Sequence, residues 1–284
     1  DAEGDIAILK MTEDGEETWG RALGGNGYEV AEDFAYTQGE LPEDALIHVV
    51  GATRPWGVAD LDVLYARYSL DGSIYSCRTW QAMANEQVAR SIWVGEGVAD
   101  YAYITGVIKS PISGLYDIFL INTDIRPEGV AVAWGTEDGN DIGSFIHGYA
   151  AADQAVYVGG YSDSFGATQK AILLKFSLGG MLEEALAWGG PAGLASFAAS
   201  APLNGNGFVM AGNCEAALLG DWQAVVGESH LLMGDWTTVL VQSEDEITAV
   251  PQAQEVPVAD VLSIGTEDIG AGESDALVQV IGLN

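Results

Sequence analysis

Three histidines, two cysteines and a large excess of carboxylates are the groups in this chain with chemistry to offer. His48, His147 and His230 have no H-E-x-x-H or comparable spacing, so they define no metal motif. Cys77 and Cys214 lie far apart, and two cysteines do not make a disulfide framework. No serine or cysteine sits in a G-x-S-x-G elbow or another nucleophile motif. The best cation candidate is "TEDGNDIG", where Asp138, Asn140 and Asp141 could offer hard oxygens to a calcium ion around a glycine turn. It lacks the full D-x-D-x-D-G series and a distal bidentate Glu, and a solvated turn is the favoured reading. Glu267 and Asp268, with Glu273 nearby, form a weaker second candidate. On these residues the chain is expected to be non-enzymatic.

The elements that would position such groups repeat. "IHVVGAT", "AYITGVI", "VYVGGYS", "FVMAGNC" and "VLSIGTE" are short β-branched or aromatic runs, each with a glycine: Gly51, Gly106, Gly159, Gly212 and Gly265. Their intervals are 55, 53, 53 and 53 residues. About ten residues on comes a second apolar run. It opens at Asp62, Asp117, Lys170, Asp221 and Asp275, and a sixth copy opens at Asp5. Hairpin signals follow in "TEDGEE", "SLDGSI", "RPEGVA" and "SLGGML". Trp19, Trp80, Trp134, Trp188 and Trp236 occupy the next slot. In the remaining slot "MANEQVARSIW" has helical propensity, but its place in the repeat favours a strand.

Each unit therefore reads as four short strands in about 53 residues. Near-continuous apolar runs imply burial on both faces. A four-stranded sheet packed on both sides by copies of itself is a propeller blade. The expected fold is an all-β, five-bladed β-propeller forming one domain over residues 1–284. The recurring aspartates are expected to be structural, accepting backbone N–H bonds where a loop enters a strand. Trp56, Trp93 and Trp222 fall outside the tryptophan slot and are the candidates for stacking on sugars.

The run of Asp, an apolar strand often holding Lys, a D-G or G-G turn, Trp and then Gly-Gly resembles the β-propeller repeats of secreted and surface-anchored bacterial and archaeal proteins. It is clearest in "DIAILKMTEDGEETWGRALGG" and "KAILLKFSLGGMLEEALAWGG", and weakest over residues 230–258. The resemblance implies an extracellular or cell-surface scaffold and no single chemistry.

Composition is compatible with that setting. Ten Lys and Arg against 42 Asp and Glu give a formal charge of −32, which repels nucleic acid and anionic membranes. At physiological salt the Debye length is about 8 Å, so copies of the chain can still meet. No run of 18 apolar residues exists to span a membrane. The opening "DAEGD", without Met or a basic apolar leader, is expected of a processed secreted protein or a shortened chain.

A strand count supplies the functional expectation. Five glycine strands, five of the slots before them and five tryptophan strands stand against six Asp-type strands. One strand is surplus, either the terminal 275–284 or its competitor 5–11. Three explanations present themselves: further sequence beyond the chain, an outer edge position in its own ring, or completion of a sheet in another copy. In the last case Asp275, Ala276, Leu277, Val278, Gln279, Val280 and Ile281 form the assembly strand. Its four aliphatic residues would contribute about 1.5 to 3 kcal/mol each if buried, against about 1 to 2 kcal/mol of backbone entropy per ordered residue. The expected partner is then the chain itself, in a ring or filament. The alternative expectation is a glycan-binding or polysaccharide-processing propeller using the three irregular tryptophans.

Overall fold

The computed structural model of the chain describes residues 4–25, 27–39, 41, 44–54, 59–82, 86–95, 102–123, 131–149, 155–189, 194–202, 208–214, 223–224, 228–231, 234–238, 261–268 and 274–281. Two units are separated, Asp1–Glu246 and Ile247–Asn284. Among the described residues no helix is long and apolar enough to cross a membrane.

The first unit opens with a hairpin of β1 (Ile6–Met11) and β2 (Glu17–Leu23). Three antiparallel four-stranded meanders follow. The first is β3 (Tyr28–Thr37), β4 (Leu46–Arg54), β5 (Asp62–Ser69) and β6 (Ile74–Ala82). The second is β7 (Gln87–Val94), β8 (Ala102–Lys109), β9 (Tyr116–Asn122) and β10 (Ala131–Gly135). The third is β11 (Asp141–Tyr149), β12 (Ala155–Ser162), β13 (Lys170–Ser177) and β14 (Leu182–Trp188). A fourth begins with β15 (Ala195–Pro202) and β16 (Phe208–Cys214) and stops at two strands. The expected slots are thus strands in expected order through Cys214, including β7, where local propensity alone favours a helix.

The fourth repeat then departs from expectation. Its continuation, β17 (Gln223–Ala224), β18 (Glu228–Leu231) and β19 (Gly234–Thr238), does not join β15 and β16. These strands pair with the outer strands β14, β10 and β6 respectively, so Trp236 lies opposite Trp80. The outer edges of three sheets offer unpaired backbone groups, and this segment satisfies them. In the second unit, β20 (Val261–Asp268) and β21 (Ser274–Ile281) form a hairpin.

Two glycine classes shape the sheets. Gly15, Gly72 and Gly180 take φ of 82°, 85° and 82° at the "DG" and "GG" turns between the third and fourth strands. The second class faces a β-bulge. The inner strands β3, β7, β11 and β15 each bulge, at Ala31/Asp33, Ala89/Ser91, Gly143/Phe145 and Phe197/Ala199. Each bulge pushes a carbonyl, of Val30, Val88, Ile142 or Ser196, onto a glycine of the second strand: Gly51, Gly106, Gly160 or Gly212. A Cβ there would collide with backbone. The structurally equivalent glycine of the third repeat is therefore Gly160, one residue beyond Gly159.

Successive sheets pack face to face, with their inner strands adjoining in the order β3, β7, β11, β15. Val50, Val63, Tyr65 and Trp80 meet Ile92, Ile104, Phe119 and Ile121 between the first two sheets. Ile118, Leu120 and Trp134 meet Val158, Ile172 and Leu174 between the next two. β1 and β2 lay Ile6 and Leu23 on the first sheet, and β15 lays Ala195 and Phe197, with Met210 of β16 beside them, on the third. Trp80 and Trp134 are buried in these interfaces, whereas Trp19, buried too, lies opposite Lys10 near its turn and donates its indole N–H to the Leu70 carbonyl.

Candidate functional site

Adjacent sheets join through one recurring seam. The residue before the third strand of one sheet accepts a hydrogen bond from the start of the next inner strand. Glu29 N–H donates to the Gly4 carbonyl at 3.0 Å, Gln87 N–H to Leu61 at 2.7 Å and Ala195 N–H to Gln169 at 3.1 Å. The equivalent seam positions carry Asp5 and Glu29, Asp62 and Gln87, Asp117 and Asp141, and Lys170 and Ala195. Two carboxylates thus face each other between the second and third sheets. Gly135 lies beside both, and a Cβ on it would strike Asp117 Oδ1 and Asp141 Oδ2. Gly189 stands likewise beside Lys170 and Gly24 beside Asp5, so these glycines leave room for the strand-entry side chain.

The electrostatics of this pair are those of acids held away from water. Burial pushes Asp117 up to about 6, helped by the charges of Asp141 and Glu137. Burial also raises Asp141, against hydrogen bonds from Ser162, Thr136 and Ser164 that lower it, while Asp163 adds to the rise. Asp141 Oδ2 accepts from Thr136 N–H and Ser164 Oγ, both at 2.9 Å. Its Oδ1 is buried with no hydrogen-bond partner. Asn140 Oδ1 accepts from Tyr116 N–H at 3.1 Å, and Asp138 is exposed in the turn. Of the expected cation set, Asn140 and Asp141 are therefore already engaged in joining sheets. Calcium takes six to eight oxygens. Among the described residues no group of three or more His, Cys, Asp or Glu is arranged to hold a metal.

Asp62 shows that the recurring aspartate is not fixed in the expected way. Its side chain bonds Gln81, and burial with Asp60 nearby pushes it up to about 6. The closeness of Asp117 and Asp141 escapes sequence reading because it depends on sheet stacking. Its signal is that the inner strand opens with Asp only in the third sheet, at β11, where β3, β7 and β15 open with Tyr28, Gln87 and Ala195.

The histidines are dispersed. His48 is fully buried, with Nε2 3.0 Å from Thr37 Oγ1 and Nδ1 2.7 Å from Tyr65 Oη. Burial, then the charge of Arg67, drives it down to about 4. His147 lies in β11 and burial lowers it too, whereas His230 lies in β18 opposite Ala133. Cys77 is buried and free, and burial pushes its thiol up to about 11, which makes it unreactive. Trp93 is half-buried and packs on Tyr103 at 5.7 Å. Trp56, Trp222 and Glu273 lie outside the described residues. Glu267 and Asp268 face Asp275 and Ser274 across the β20–β21 hairpin.

The remaining features are open edges. Among the described residues β1 pairs only with β2, and β16 only with β15. On β3, Phe34 and Tyr36 are 71% and 53% exposed, and Leu9 and Met11 are exposed on β1. No family model matches the chain, and no curated protein matches it in sequence.

Proposed function

We propose that this chain is a non-enzymatic, extracellular structural and interaction module that assembles with copies of itself. Its sheets act as propeller blades, five by the repeat count, and the assembly is a ring, filament or surface array held by strand exchange. The observation that carries this reading is the pair of half-sheets. Among the described residues every sheet between them has at least four strands, while β1–β2 and β15–β16 have two, with one edge open. A two-stranded ribbon is marginal alone, and an open edge recruits another strand. The donor is a strand near one end of the chain, Asp275–Ile281 or residues 5–11. Supporting the non-enzymatic part, His48 is committed to Thr37 and Tyr65, and Asn140 and Asp141 to the sheet seam. The acidic surface and the resemblance to surface-anchored repeats support the location.

Light scattering over a concentration series at physiological salt tests the proposal. Mass that grows with concentration is the expected result. A folded monomer at every concentration and salt would sink it.

A further inference from the structure

We propose that β16 of one copy pairs with β1 of the next, so that β15–β16 and the incoming β1–β2 make one four-stranded sheet. The idea rests on self-assembly and names its joint. The complementarity is a matter of strand slots. In each complete sheet the glycine strand pairs with an Asp-type strand: β4 with β5, β8 with β9 and β12 with β13. The terminal hairpin keeps this rule, β20 with β21. The unmatched glycine strand among the described residues is β16, and two Asp-type strands lack a glycine partner: the two-residue β17, which lies on β14, and β1, whose six residues are enough to pair along β16. β21 is already matched, so the surplus strand is β1.

The register is fixed by the same rule. Gly51 lies opposite Leu64, Gly106 opposite Phe119, Gly160 opposite Ile172 and Gly265 opposite Leu277. In each case the partner is two residues past the opening of its strand. Transferred to the joint, Gly212 falls opposite Ala7, and Met210 opposite Leu9.

A second copy fits because the joint continues an interface that the chain already builds three times. β3 packs on β7, β7 on β11 and β11 on β15. The residue after the bulge in one inner strand can accept from the next: Asp33 Oδ2 accepts from Ser91 Oγ at 2.8 Å and Ile92 N–H at 3.0 Å. Ser91 Oγ then accepts from Ile146 N–H at 3.3 Å. Ile92 and Ile146 follow their bulges as Phe34 does, and they are 6% and 5% exposed where Phe34 is 71%. Phe34 is thus the uncovered member of a covered series, and its N–H turns back to its own Asp33. With β16 of another copy on β1, the neighbouring β15 lies over Phe34 and Tyr36. The contact is heterologous, so it propagates head to tail.

Disulfide trapping tests the joint in chains whose Cys77 and Cys214 are replaced by Ala and Ser. One tagged chain carries Leu9→Cys and a second, differently tagged, carries Met210→Cys. A reducible product holding both tags is expected on mixing under mild oxidation. Phe34→Glu, a change at an exposed position, is expected to weaken self-association at least tenfold while leaving the circular dichroism unchanged. If the Leu9→Cys/Met210→Cys double variant instead cross-links within one chain, the sheet closes on itself and the proposal is overturned. If light scattering shows assembly but no Leu9–Met210 product forms, assembly survives and this joint is wrong. A monomer without the product defeats both.

Discussion

Asp117 and Asp141 meet across the seam between the second and third sheets, and Gly135 is the residue that leaves room for them. Asp117 is pushed up to about 6 from an ordinary 3.8, chiefly by burial. Between those values the folded chain keeps a proton that the unfolded chain has released. Stability from this group is therefore full below about pH 4 and is lost as pH rises through about 6. Asp117→Asn removes that dependence. Because the side chain is partly exposed, its gain at pH 7.5 is on the order of 1 kcal/mol rather than the full shift. Urea melts at pH 4 and 7.5 check this; equal effects at both pH values would contradict the shared-burial account.

His48 titrates with the opposite sign. Its folded value of about 4 lies below the ordinary 6.5, because the ring is buried between Thr37 and Tyr65. In that window the unfolded chain binds the extra proton, so this contribution is present above about pH 6.5 and is lost as pH falls through about 4. An NMR titration is expected to show a neutral His48 imidazole at pH 5. A midpoint near 6.5 would mean that the ring reaches solvent.

How much of this could be read from sequence depends on the range of the cause. The strands through Cys214 were legible because apolar runs, turn glycines and tryptophans are local signals repeated in phase. The choice between Gly159 and Gly160 was not, since both stand in "VYVGG" and only the bulge at Gly143/Phe145, which sets the Ile142 carbonyl against Gly160, distinguishes them. Trp236 occupies the tryptophan slot of the sequence repeat, 48 residues after Trp188, yet lies on another sheet, because the open edge of β6 is a tertiary feature. The candidate site was half legible. Asp141 stood out in its turn, but its neighbour Asp117 is brought there by stacking.

The bulge glycines should be the least replaceable residues on the sheet faces. Gly106→Ala places a methyl against the Val88 carbonyl, and no flexible side chain can move aside. A loss of about 3 kcal/mol or more is expected in chemical denaturation. Gly25, where a Cβ meets nothing within 4 Å, is the control, and Gly25→Ala should change stability by about 0.5 kcal/mol or less. Similar losses at both positions would remove the bulge explanation.

The added outer strands give a prediction that separates edge pairing from core packing. β19 pairs with β6 from Gly234↔Ala82 to Thr238↔Arg78. Proline donates no hydrogen bond, and adjacent residues of a strand point their N–H groups to opposite sides. Of Trp236→Pro and Thr237→Pro, one therefore removes a donor to β6 and both distort the strand. Faster hydrogen exchange is expected in Arg78–Ala82 of both variants, because β6 amides that face β19 become open to water. Trp80, 1% exposed and packed on Phe119 at 6.2 Å, is held from the sheet interface instead. Trp80→Ala is accordingly expected to cost about 3 to 5 kcal/mol of global stability. The proline variants should leave the melting temperature within a few degrees of the parent, and unchanged exchange at β6 in both would show that β19 does not protect that edge.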